Sequence, residues 1–227
     1  MNEEKEDKNS DIDFSSPCII LSTGKCKSGK TNAIKYLILK NSIDKKIFNF
    51  GIVFTRTKFN SNYDYIDQKY VFQGYQVDVL KKYISNLENI MQKKGKVPPN
   101  FIIFDDLLGL LSKQNGFLNN LFACHRHTNT SIFLCTQHLK SGASTTLREI
   151  VNYAICFNSK RRDTIESLYT EFGQLFDSYD EFRKHFLSVT KEKYHAMLYN
   201  SDIEYVNDNC LTYLAPSMDK INTVIKF

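Results

Sequence analysis

The chain has 227 residues, 42% of them hydrophobic, with 17 Phe, 13 Tyr, 9 Gly and 4 Pro. That length suits one sizeable α/β domain and is short for two, and so few Gly and Pro exclude a fibrous or linker-rich chain. The formal net charge of +5 hides an asymmetry: residues 1–16, MNEEKEDKNSDIDFSS, hold six acids and two lysines, a net of −4, leaving +9 for residues 17–227.

The acidic start offers one Phe and one Ile, too little apolar surface to offset the entropy of ordering it. Residues 1–16 are therefore expected to be a disordered tail, and 17–227 a single domain. No apolar run reaches the roughly 18 to 20 residues that span a bilayer, and an acidic N-terminus does not read as a signal peptide. The protein is expected to be soluble and intracellular. Its six cysteines, at 18, 26, 124, 135, 156 and 210, form no CxxC pair. Several lie in apolar strand-like runs, which suits buried free thiols in a reducing compartment.

Taken in chain order, PCIILST is a short apolar run rich in β-branched residues that ends at the loop Gly24-Lys25-Cys26-Lys27-Ser28-Gly29-Lys30-Thr31. TNAIKYLILK then places Ala33, Ile34, Leu37 and Ile38 at helical spacing, so the local order is strand, loop, helix. IFNFGIVFTRT (47–57) reads as a second buried strand. VDVLKKYISNLENIMQKK follows as a helix with Val77, Leu80, Ile84, Leu87 and Met91 on one face and lysines outward. After the breaker KGKVPPN comes FIIFDD, an apolar strand ending in Asp105 and Asp106. A helix around FLNNLFACH precedes the strand TSIFLCTQH, and VNYAICFN (151–158) repeats the strand pattern. RDTIESLYTEFGQLF resumes helical spacing through Ile165, Leu168, Phe172 and Leu175, and KYHAMLYN and CLTYLAPS read as late strands with loops. Strands alternating with helices predict an α/β fold whose mostly parallel sheet is covered on both faces.

The loop fits GxxxxGK[S/T], the Walker A pattern of P-loop nucleotide binding. Its glycines let backbone N–H groups wrap a phosphate, and the helix it opens adds its dipole. In this pattern Lys30 reaches the β- and γ-phosphates of ATP and the Thr31 hydroxyl ligates Mg²⁺. Two adjacent carboxylates are costly if buried within a strand, so Asp105 and Asp106 are expected at the C-terminal edge of the sheet, where open α/β sheets bind ligands. Asp105 suits a Walker B ligand of the Mg²⁺ shell, and Asp106 a general base or water-positioning acid. Gln137, at the end of SIFLCTQ, offers an amide to the attacking water or the γ-phosphate, with Thr136 beside it. Arg148, in TTLREI, is a candidate arginine finger acting from a neighbouring subunit, in competition with Arg126, Arg161 and Arg162. CHRH with Cys135 and His138 lacks the spacing of a zinc site.

In the order GKCKSGKT, FIIFDDL, RHTNTSIFLCTQ and LREIVNYAICF, these segments resemble the genome-packaging ATPases of large DNA viruses, of the poxvirus, giant virus and virophage type, within the FtsK-HerA superfamily. The resemblance spans about residues 17–185. It implies a RecA-like P-loop NTPase core, ATP hydrolysis with Mg²⁺, a homo-oligomeric ring, and translocation of double-stranded DNA into a capsid, hence contact with capsid proteins. The corresponding location is the host cytoplasm or viral factory, or the virion. By position it carries Lys30 and Thr31 onto phosphate and metal, Asp105 and Asp106 onto the Walker B acids, Gln137 onto the polar sensor, and Arg148 near the origin of a finger. One departure is Asp106, where many superfamily members carry Glu.

A basic domain suits a DNA partner, since phosphate contacts dominate sequence-independent affinity. Lys81, Lys82, Lys93 and Lys94, or the run KRR at 160–162, are the candidates to face DNA. The alternative is a P-loop kinase acting on a nucleoside or nucleotide, which such a chain length also allows. A GTP-binding switch would need an NKxD motif, and the sequence contains none.

Overall fold

The computed structural model describes residues 12–59, 61–107, 116–143, 145–202 and 212–214. Eight strands form one sheet: β1 (Ile19–Thr23), β2 (Phe50–Thr55), β3 (Val71–Gln73), β4 (Asn100–Asp105), β5 (Thr130–Thr136), β6 (Tyr153–Phe157), β7 (His195–Asn200) and β8 (Thr212–Leu214). Between them lie α1 (Lys30–Leu39), α2 (Val77–Lys94), α3 (Gly116–Cys124), α4 (Leu139–Gly142), α5 (Thr145–Glu149), α6 (Arg162–Phe172) and α7 (Tyr179–Val189).

The sheet order is β3-β2-β4-β5-β1-β6-β7-β8. Every pairing from β3 to β6 is parallel, and β7 and β8 are antiparallel. This is the mostly parallel α/β sheet expected of a P-loop NTPase of the RecA-like class. The order places β5, which leads to Gln137, between the loop strand β1 and the carboxylate strand β4.

Parallel strands covered on both faces must be apolar at consecutive positions, and these are. Ile20, Phe101, Ile103, Phe133 and Ile155 pack with Ala33, Ile34, Leu37 and Ile38 of α1. The alternate residues Ile19, Leu21, Ile102, Phe104, Ile132 and Leu134 pack with Leu80 of α2, Leu118 of α3, Ile165 and Leu168 of α6, and Phe182 and Phe186 of α7. Each such side chain, taken from water, contributes about 1.5 to 3 kcal/mol.

Three sequence expectations change. Ile12 and Phe14, assigned to the tail of residues 1–16, are buried in the α1 face, and the Phe14 ring lies 5.2 Å from that of Phe48 and 5.9 Å from that of Phe133. Two large apolar groups suffice to anchor this end of the acidic segment; residues 1–11 lie outside the described residues. The helix expected to run through Leu175 stops at Phe172, with Gly173 as its C-cap. β3, α4, α5 and α7 are additional elements not expected from the sequence. For α7 the signal was present: the Ser178 hydroxyl accepts the Glu181 N–H at 3.2 Å, and the Glu181 carboxylate accepts the Asp177 N–H at 3.2 Å.

Cys18, Cys135 and Cys156 are buried and free, Cys26 is exposed, and burial pushes the Cys18 thiol up to about 12. Cys210 lies outside the described residues. Among the described residues no helix is long and apolar enough to cross a membrane.

Candidate active site

At the end of β1 the chain enters left-handed backbone three times, at Gly24 (φ 153°), Lys27 (φ 60°) and Gly29 (φ 114°). The two glycines are also sterically required. A Cβ on Gly24 would come within 2.7 Å of the Phe157 Cβ, and one on Gly29 within 3.1 Å of the Phe157 ring and 3.2 Å of the Tyr194 ring. The loop is pinned at its entrance, where the Gly24 N–H donates to the Thr136 carbonyl at 3.3 Å. At its exit the Ala33 N–H donates to the Gly29 carbonyl at 2.9 Å, and α1 begins. The first N–H groups of a helix lack intrahelical partners, so this end of α1 attracts an anion. The Ser28 hydroxyl, buried and without a hydrogen-bond partner, adds an orphan polar group inside the same loop.

Lys30 is buried, and its ammonium donates to the carbonyls of Gly24 at 2.7 Å and Lys25 at 2.8 Å. These two bonds hold the loop curled around the position that phosphates occupy in P-loop proteins. Burial lowers the Lys30 pKa, opposed by the nearby Asp105 carboxylate. Lys25, Cys26 and Lys27 are exposed on the rim, and Thr31 is half-buried at the first turn of α1.

The ends of four strands are level. Thr55 of β2 stands opposite Asp105 of β4, Asp105 opposite Cys135 of β5, and Thr136 opposite Thr23 of β1. Asp105 therefore lies at the C-terminal edge, and strand alternation turns it toward the α1 face, the side of Lys30. It is 6% exposed, and burial raises its pKa. The Thr55 hydroxyl lies 3.5 Å from the Asp105 carboxylate. The buried Tyr63 phenol adjoins it without forming a hydrogen bond of standard geometry, and favours the ionised carboxylate. Thr55 and Tyr63 were not singled out from the sequence, and Cys135 only as a free thiol. They reach Asp105 through strand register and through a loop packed on the sheet, neither of which has a local signature.

Asp106 leaves the strand in left-handed backbone, φ 52°. Its N–H donates to the Cys135 carbonyl at 3.1 Å, and the Gln137 amide donates to its carboxylate at 3.0 Å. Aspartate is one of the few non-glycine residues that occupy this region readily, which gives a backbone reason for Asp at this position. Thr136 turns aside: its hydroxyl donates to the His138 carbonyl at 3.0 Å. Lys30, Asp105, Asp106 and Gln137 thus converge with the loop on one edge of the sheet.

Arg148 does not join them. It precedes β6, at the opposite edge, and its guanidinium pairs with Glu171 at 2.9 Å while donating to the Ala143 carbonyl at 2.6 Å. Its side chain is 9% exposed, so it braces α5 against α6 within its own subunit. Arg126 also lies at that far edge, before β5. Arg161 and Arg162 follow β6 on the loop's own edge; Arg162 pairs with Glu166 at 2.7 Å. Arg161 is exposed and lines a recess of about 250 Å³ with His138 and Lys140.

The sequence model of the poxvirus A32 protein family matches residues 10–173. The chain belongs to this family. No curated protein sequence matches the chain significantly. Among solved structures, the genome packaging NTPase B204 from Sulfolobus turreted icosahedral virus 2, in complex with ATP-gammaS, is similar over 86% of this chain and 97% of that one, at 16% identity and TM-score 0.63. B204 from Sulfolobus turreted icosahedral virus, described as the DNA-packaging ATPase, is similar over 85% and 97%, at 14% identity and TM-score 0.58. The pCW3 conjugation coupling protein TcpA, in its monomer form with ATPgS, is similar over 84% of this chain and 59% of that one, at 15% identity and TM-score 0.57. At these identities the likeness to the solved structures is one of fold. The family match covers the loop, both aspartates and Gln137.

Proposed function

We propose that this chain is the ATP-hydrolysing subunit of a motor that drives double-stranded DNA into a viral capsid. The observation that carries the reading is the bond between Gln137 and Asp106, 3.0 Å long, made where β5 separates the loop strand from the carboxylate strand. A simple nucleotide-binding loop needs no such pair. A motor does, because the group that prepares water must also report the γ-phosphate to the strand behind it.

In this reading ATP lies with its phosphates in the Gly24–Thr31 loop, and Lys30 exchanges its two carbonyl acceptors for phosphate oxygens. Water attacks the γ-phosphorus, its proton passes to the Asp106 carboxylate, the bond to the β–γ bridging oxygen breaks, and ADP leaves with that oxygen. Gln137, released from Asp106 or sharing it, aligns the water.

The residues fit Mg²⁺, which takes one or two protein oxygens and completes its shell with phosphates and water. Thr31 and Asp105 would hold it. Asp105 is a buried carboxylate whose nearest partners are neutral, because the Lys30 ammonium is engaged with carbonyls. When bound, the ion neutralises charge on the β- and γ-phosphates.

In this reading the chain assembles into a ring around DNA, contacts capsid proteins, and acts in the host cytoplasm or viral factory, or in the virion. With Arg148 engaged inside its own subunit, Arg161 is the arginine best placed to serve a neighbouring site. It shares its exposed edge with Lys160 and Arg162, and these make the KRR run the better of the two candidate DNA-facing surfaces. Product analysis separates this function from a nucleoside or nucleotide kinase: the terminal phosphate of ATP should appear as inorganic phosphate. Its appearance on an added nucleoside or nucleoside monophosphate would favour the kinase.

A further inference from the structure

We propose that Tyr194 is the platform on which the base of the bound nucleotide stacks. The inference rests on the reading of the loop as an ATP site and adds the part of that site that holds the nucleoside.

The sheet order fixes the direction of the nucleotide. Asp105, Asp106 and Gln137, which mark the γ-phosphate end, lie on β4 and β5, to one side of the loop strand β1. A triphosphate laid across the loop must carry its nucleoside to the other side, toward β6 and β7. There the ring of Phe157, at the end of β6, and that of Tyr194, at the turn into β7, close on Gly29. Phe157 is buried beneath the loop and is not open to a ligand, whereas Tyr194 is 41% exposed. Of the large apolar side chains that stay exposed among the described residues, Ile43, Phe59, Met91 and Tyr194, it is the one whose ring lies against a glycine of the loop.

Two features of the turn point the same way. Tyr194 has φ 71°, a left-handed conformation that is unfavourable for an aromatic residue and that accumulates at ligand clamps. The Lys193 ammonium lies 4.7 Å from the ring centroid, so the exposed ring already attracts a partner. A base stacking there replaces an exposed cation–π contact, which is weak and solvent-screened. The ligand class is an aromatic base attached to a polyphosphate, held by its π-face.

The test compares binding of ATP with binding of inorganic tripolyphosphate, both with Mg²⁺, to the full-length wild type, Tyr194→Phe, Tyr194→Asn and Lys30→Ala proteins. Asparagine tolerates the left-handed backbone without a ring, so this variant should keep the wild-type thermal midpoint. The expected result is that Tyr194→Asn weakens ATP about tenfold or more, leaves tripolyphosphate unchanged, and that Tyr194→Phe behaves as wild type. An unchanged ATP affinity in Tyr194→Asn, or an equal loss of ATP and tripolyphosphate, would overturn the platform. If instead Lys30→Ala binds tripolyphosphate as well as wild type does, the loop is not the phosphate site and both readings fall.

Discussion

Gln137 holds Asp106: the amide of one donates to the carboxylate of the other at 3.0 Å, across the two strands that follow the nucleotide loop in the sheet. A neutral donor orients the carboxylate without placing a charge beside it, as a lysine or arginine there would. Gln137→Ala is expected to lower kcat roughly 10²-fold, as losing one preorganised donor does. Affinity for ATP should change little. Steady-state hydrolysis together with direct ATP binding checks this, and a loss confined to binding would move the sensor role elsewhere.

Asp105 illustrates a conflict between stability and function. Its carboxylate is buried, and burial raises its pKa, so the ionised form costs folding energy when no cation is bound. Asp105→Asn should therefore be at least as heat-stable as wild type without nucleotide, and inactive. A clear fall in its thermal midpoint would show that Asp105 is a structural residue.

The Arg148–Glu171 pair is expected to act in folding and not in catalysis. Removing one partner leaves the other largely buried and unpaired, so Arg148→Ala and Glu171→Ala should each cost roughly 3 kcal/mol. The double variant should cost little more than either alone. Chemical denaturation of the four proteins measures the coupling. Additive losses would remove the coupling; a normally stable Arg148→Ala that is inactive alone and gains activity when mixed with Lys30→Ala subunits would make Arg148 a finger.

His125 sets an acid limit. It is buried, its Nδ1 lies 2.7 Å from the Thr130 carbonyl, and burial lowers its pKa from 6.5. Below about 6.5 the unfolded chain binds a proton that the folded chain refuses. The stability contributed by neutral His125 is thus complete above that pH and is lost as pH falls toward the depressed folded value. Thermal midpoints measured from pH 7.5 to 5 should decline for wild type and decline less steeply for His125→Asn. Parallel curves would remove His125 from the account.

Much of this arrangement is legible in the sequence because burial in a parallel sheet writes itself as runs. CIILST, GIVFT, FIIFD, SIFLCT and YAICF each became a strand, and VDVLKKYISNLENIMQKK became α2 residue for residue. The loop and the two aspartates were legible because they sit at the ends of such runs. Spatial neighbours were not. The ion pair of Arg148 with Glu171 and the packing of Tyr63 beside Asp105 join residues far apart in the chain, and no spacing rule reports them. Tyr194 followed no periodicity, and only the sheet order places it against Gly29. Ile12 and Phe14 show the converse error, since composition averaged over an acidic stretch hides two residues with a definite place in the core.

The central claim is that hydrolysis at the loop is coupled to DNA. The most direct measurement is steady-state ATP hydrolysis by the full chain with and without double-stranded DNA, over a range of salt, with Lys30→Ala as control. Hydrolysis should rise strongly with DNA, the stimulation should fade as salt rises because phosphate contacts are screened, and Lys30→Ala should be inactive throughout. Hydrolysis that DNA does not alter at low salt, or that survives in Lys30→Ala, would contradict the account.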